Sequence, residues 1–68
     1  MNKEKIAENL KNLRIKKGKT VVEVADALGI SPSAWSMYES GERIPRDEIK
    51  IAIARYFKKT VSSIFFVD

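Results

Sequence analysis

Three glycines, Gly18, Gly29 and Gly41, each follow directly on a stretch whose apolar residues recur three and four positions apart. That spacing is the mark of a helix with one buried face, and a glycine just after it is the usual left-handed stop. The chain is thereby confined to short helices joined by tight turns. It has no sustained alternation of period two that would build a sheet, with the terminal Phe65-Phe66-Val67 as the one candidate exception.

Ile6, Leu10 and Leu13, with Ala7 beside them, predict a helix over Lys3–Lys17, where Lys16 and Lys17 suit the negative end of the dipole. The tetrad T-V-V-E, Thr20 to Glu23, is a capping box that opens a second helix with Val24, Ala25 and Leu28 inward. Ile30 plugs the corner after Gly29. Ser31 caps a third helix at about 32–40, and Pro32 sits in the first turn, where proline is tolerated. The loop GERIP follows, with Ile44 folded inward. A fourth helix runs from about Asp47 to Phe57, with Ile49, Ile53, Tyr56 and Phe57 on one side, and Thr60 caps a last short helix, Val61–Phe65. The predicted fold class is all-α, five helices in one domain over residues 1–68.

Composition narrows the function. With no cysteine there is neither a disulfide framework nor a thiolate metal site. With no histidine, the commonest metal ligand and general base are missing. Ser31, Ser33 and Ser36 have no base to activate them. An enzyme is not expected, nor a metal, another cofactor or a small-molecule ligand. Stability has to come from helix packing, oligomerisation or both. No apolar run approaches the ~20 residues of a membrane span, and MNKEKIAENL lacks the apolar core of a signal peptide. A cytoplasmic protein without a membrane partner is the expectation. The net charge of +4 points to an anionic partner, nucleic acid first.

The second and third helices are short and joined by a tight turn at Gly29, which is the helix-turn-helix pattern. Ala25, four before Gly29, suits a close crossing, although many helical bundles contain such a corner. The string KKGKTVVEVADALGISPSAWSMYESGERIP resembles the lambda-repressor-like, or Cro/repressor (XRE), helix-turn-helix family. The matching positions are Leu13-Arg14, Gly18, Thr20, Ala25, Leu28-Gly29, Ser31, Tyr38-Glu39, Gly41, Arg43 and Pro45, continuing into Ile53-Ala54, Val61 and Ile64-Phe65. The resemblance implies a transcriptional regulator of the repressor kind. Its third helix enters the major groove of double-stranded DNA, and dimers meet half-sites about one helical turn apart. Two positions depart from the family. Val21 stands where a phosphate-contacting glutamine is frequent, and Trp35 stands where isoleucine or valine faces inward.

Placed on a helix, Trp35, Tyr38 and Glu39 share one side, which matches the family's inward face, so Trp35 reads as a core anchor. The opposite side carries Ser33, Ser36, Met37 and Ser40. The candidate base-reading residues are Pro32, Ser33, Ser36 and Met37. None makes a bidentate pair with a base, so specificity falls largely to DNA shape, water and half-site spacing. Between Thr20 and Glu42 there is no Lys or Arg, and the positive charge sits on the flanks. In the family's geometry the basic flanks, Lys16, Lys17 and Lys19 before the second helix and Arg43 and Arg46 after the third with Lys50 one turn on, straddle the reading helix and face phosphates; the candidate phosphate contacts are Lys17, Lys19, Thr20, Ser31, Ser40, Arg43 and Arg46. Arg14 and Glu39 match a family ion pair linking the first and third helices, a structural role.

One short reading helix makes a small interface, so a homodimer is expected. Ile51, Tyr56, Phe66 and Val67 are the candidate patch, with the final residues pairing as short strands. The opposing reading tucks Phe66 onto its own subunit. The competing function is a protein-interaction module on the same fold, antitoxin-like or an anti-repressor partner.

Overall fold

The computed structural model, described over residues 1–68, consists of five α-helices: α1 (Lys3–Lys17), α2 (Val21–Leu28), α3 (Pro32–Ser40), α4 (Asp47–Phe57) and α5 (Val61–Phe65). Local chemistry sets their ends. Asn2 accepts from the backbone N–H of Glu4 and Lys5 to open α1, a cap the sequence reading had not singled out. Thr20 and Glu23 close the predicted capping box on α2. Ser31 and Thr60 accept from Ala34 and Ser63 to open α3 and α5. Gly18, Gly29 and Gly41 stop α1, α2 and α3 in the left-handed conformation.

The core is built around Trp35, which is fully buried with Ile6, Leu10, Val24, Ile53 and Phe65. Its ring meets Tyr38 edge-on at 6.3 Å and Phe57 at 6.2 Å, the spacing of favourable aromatic contacts. α3 is therefore clamped between α1, α2 and the end of α4 by its inward face, and its other face is left to solvent. Pro45 is also fully buried, and Ile30 and Ile44 pack on the edge of the core as predicted.

The two ends of the chain meet. The chain's last residues form no strand. Val67 is half-buried against the core, and its carbonyl accepts from the Asn2 N–H at 3.1 Å. Lys5 reaches the Asp68 carbonyl. One expectation fails: Lys50 does not belong to the basic flank. It is buried, with its ammonium 3.5 Å from Asp47, 3.8 Å from the Met1 sulfur and over the Phe65 ring. Helix phase explains this: Lys50 shares the inward stripe of α4 with Ile53, Ala54 and Phe57.

α4 ends without a glycine. Lys58 takes φ 56°, the one residue other than glycine with positive φ. For a side chain bearing Cβ that conformation costs roughly 1–2 kcal/mol. Lys58→Gly is expected to raise stability by about 0.5–1 kcal/mol, which moves the melting temperature of a domain this size up by a few degrees. A melting curve that stays put or shifts down would show that Lys58 sits there without strain.

The capping box gives a pH signature. The Thr20 backbone N–H, then its hydroxyl, hold the Glu23 carboxyl below the ordinary glutamate range. The charged form is thus favoured by folding. Its contribution is complete above the unfolded pKa and fades as pH falls through the lowered folded value. Glu23→Gln is expected to lower stability at neutral pH and to flatten the acid limb of a stability–pH profile. Parallel acid limbs for the two proteins would contradict this.

Candidate nucleic-acid interface

The turn after α2 throws α3 outward, because Ser31 caps the new helix while the left-handed Gly29 reverses the chain. On α3, Trp35 and Tyr38 face the core. Pro32, Ser33, Ser36 and Ser40 are exposed, and Met37 is half-buried. The outward face predicted from helix phase is therefore one continuous surface of small polar groups, with a single thioether at its edge. The Ser31 oxygen accepts from the Ala34 N–H at 3.1 Å and leaves its hydrogen for an outside acceptor. Ser40 donates to the Met37 carbonyl at 3.1 Å. That hydrogen is committed, and a phosphate, which only accepts, can be met by Ser40 only after this bond opens.

The flanks assemble unequally. Ser31, Arg43 and Arg46 line one groove, together with Ala34 and Tyr38 of α3 and Ile49 of α4. Three residues expected to contact phosphate are thus brought together in one groove against α3. On the other flank Thr20 belongs to the capping box, and Lys19 just before it is half-buried. Lys17 turns away from this pair. Its ammonium lies 4.7 Å over the Tyr56 ring, so an expected phosphate contact and an expected dimer contact touch one another.

The predicted ion pair forms. Arg14 Nε and Nη2 donate to the two Glu39 oxygens at 2.6 and 3.1 Å. The Glu39 side chain is 10% exposed, and its hydrogen bond raises the Arg14 pKa, which keeps the guanidinium charged. Two further partners escaped the sequence reading. Arg14 Nη1 donates to the Lys19 carbonyl at 3.0 Å, and the Trp35 indole N–H donates to Glu39. The only sequence signal for the second was the placement of Trp35 and Glu39 four residues apart on one helix face.

Of the four dimer candidates, Phe66 and Ile51 are exposed, at 60% and 47%. Tyr56 is half-buried beneath Lys17, and Val67 packs on its own core. Met1, exposed and in contact with Lys50 beside Ile51, is an apolar residue the sequence reading missed. Finding it required knowing that the two ends of the chain meet.

Comparison with known proteins agrees with this geometry. Over 50 residues the chain is 44% identical to the cryptic phage CTXphi transcriptional repressor RstR of Vibrio cholerae serotype O1 (strain ATCC 39315 / El Tor Inaba N16961). That alignment covers 74% of this chain but only 45% of the repressor, so the chain spans less than half the length of this relative. In fold it matches the crystal structure of the clp gene regulator ClgR from C. glutamicum, with a TM-score of 0.82 and 24% identity, over 97% of this chain and 86% of the other. A family model described as helix-turn-helix matches residues 10–64. Those residues run from the Leu10 core contact through the Arg14–Glu39 pair and α3 to Ile64, and the chain belongs to the helix-turn-helix family, in its Cro/repressor (XRE) type.

Proposed function

We propose that the chain is a sequence-specific repressor that inserts α3 into the major groove of double-stranded DNA and binds as a homodimer. One observation carries this reading. The outward face of α3 has no charged side chain, while Ser31, Arg43 and Arg46 gather in one groove at its edge. Charge at the rim and small polar groups on the helix divide the labour as DNA binders do, since phosphate contacts position a protein and base contacts specify.

Ser33 and Ser36 serve as donors or acceptors to base edges. Met37 offers an apolar contact to a thymine methyl, and Pro32 lies at the leading end. Serines reach only short distances, so the helix lies close to the groove floor. Lys19 and Thr20 hold the phosphate on one side, and Ser31, Arg43 and Arg46 hold it on the other. Lys17 adds its charge from over Tyr56. We take Ser40 out of the phosphate set while its bond to Met37 holds. The weak base chemistry makes pairing of two modules valuable, because linked sites raise the local concentration of each other. Phe66 and Ile51, with Met1, are exposed apolar side chains, and a two-fold contact would cover them on both subunits at once.

Selection from a random duplex pool, followed by salt titration, tests the DNA-facing assignment. Arg43→Ala and Arg46→Ala are expected to weaken selected and random duplexes alike and to lower the salt slope by about one charge each. Ser33→Ala, Ser36→Ala and Met37→Ala should instead change which sequences are selected. Losses confined to one sequence for the arginines, or unchanged profiles for all three α3 variants, would overturn the division of roles. Affinity that does not depend on salt would favour the protein-interaction module instead.

The dimer is tested by sedimentation. Phe66→Asp is expected to give a folded monomer with much weaker operator binding. A wild-type chain that stays monomeric at tens of micromolar, and on its operator, excludes the pairing.

A further inference from the structure

The partners of the Glu39 carboxylate come from different parts of the chain. Arg14 reaches both oxygens from α1, and the Trp35 indole N–H donates to Oε2 from one turn earlier in α3. The same guanidinium donates through Nη1 to the Lys19 carbonyl, immediately before the Thr20 cap of α2. With Trp35 fully buried and Glu39 nearly so, solvent offers little competition for these bonds.

We propose that Trp35 is a positioning residue for operator recognition: its N–H fixes the Glu39 carboxylate, and through Arg14 it sets the capped end of α2 at one distance from the reading face of α3. The inference rests on the DNA-binding reading above.

A ring without a donor would fill the same space in the core. The indole adds a donor aimed at the oxygen that Arg14 Nε also uses. A carboxylate's last torsion is broad, so one held by a guanidinium alone can rotate and trade a two-pronged contact for a single one. A third donor, from a ring locked by Tyr38 and Phe57, removes that freedom. The effect reaches the DNA side because specific binding needs two things at once. Phosphates must be met at Lys19 and Thr20, and bases must be met under Ser33 and Ser36. Non-specific binding needs only the charge.

The test replaces Trp35 by benzothienylalanine in a chemically synthesised 68-residue chain. Sulfur then stands where the N–H was, and the shape is kept. The analogue is expected to stay helical by circular dichroism. It should bind the selected operator about tenfold more weakly, the scale of one hydrogen bond to a charged group. Random-duplex affinity and salt slope should be unchanged. Arg14→Lys, which keeps the charge and loses the fork, is expected to show the same selective loss. Equal affinity on both duplexes, an equal loss on both, or failure of the analogue to fold would each overturn the proposal. A wild-type chain that selects no sequence would overturn the DNA-binding reading itself, whatever the analogue does.

Discussion

A nearly buried carboxylate has to be satisfied by donors, because a charge removed from water and left unpaired costs far more than this small domain can supply. Glu39 meets that demand with Arg14 and Trp35, and Arg14 extends the bond network to the Lys19 carbonyl. The consequence is architectural. α1, the end of α3 and the start of α2 share one set of bonds, so the helix-turn-helix unit is held from the side away from the exposed serines.

Aromatic contacts complete the hold. Trp35 is the largest side chain in the core and touches Tyr38 and Phe57. Truncating a buried tryptophan to alanine costs about 3–5 kcal/mol. A whole domain has only roughly 0.05–0.15 kcal/mol per residue, so for 68 residues that one side chain is comparable to much of the net stability. The departure from the family's aliphatic residue therefore concentrates both packing and hydrogen bonding at one position of α3. The outward face of the same helix is free of such duties, which is why it can consist of serines.

Charge is organised by the same separation. Acidic residues and caps occupy α2 and α3, and Arg43 and Arg46 cluster after α3 beside Ser31. Two lysines are drawn into local contacts, Lys17 over Tyr56 and Lys50 among Met1, Asp47 and Phe65. A net charge counted along the chain overstates the positive charge left free at the surface, because the Lys50 ammonium is buried.

The sequence by itself determined the helices, since their signals are local. A cap acts over three residues, a glycine stop over one, and an inward stripe over two turns, so α2 with its capping box, α3 with Trp35 inward, the stripe of α4 and the capped start of α5 were all legible. The ion pair of Arg14 and Glu39 was legible only through family resemblance, since its partners lie on different helices. What the tertiary structure alone decided are the contacts that span the chain. Asn2 meeting Val67, Lys50 buried between the termini, Lys17 over Tyr56, and the Trp35 N–H on Glu39 depend on how helices pack. Periodicity fixes which face of a helix is buried. The atom that a polar group on that face will meet is fixed only when another helix arrives.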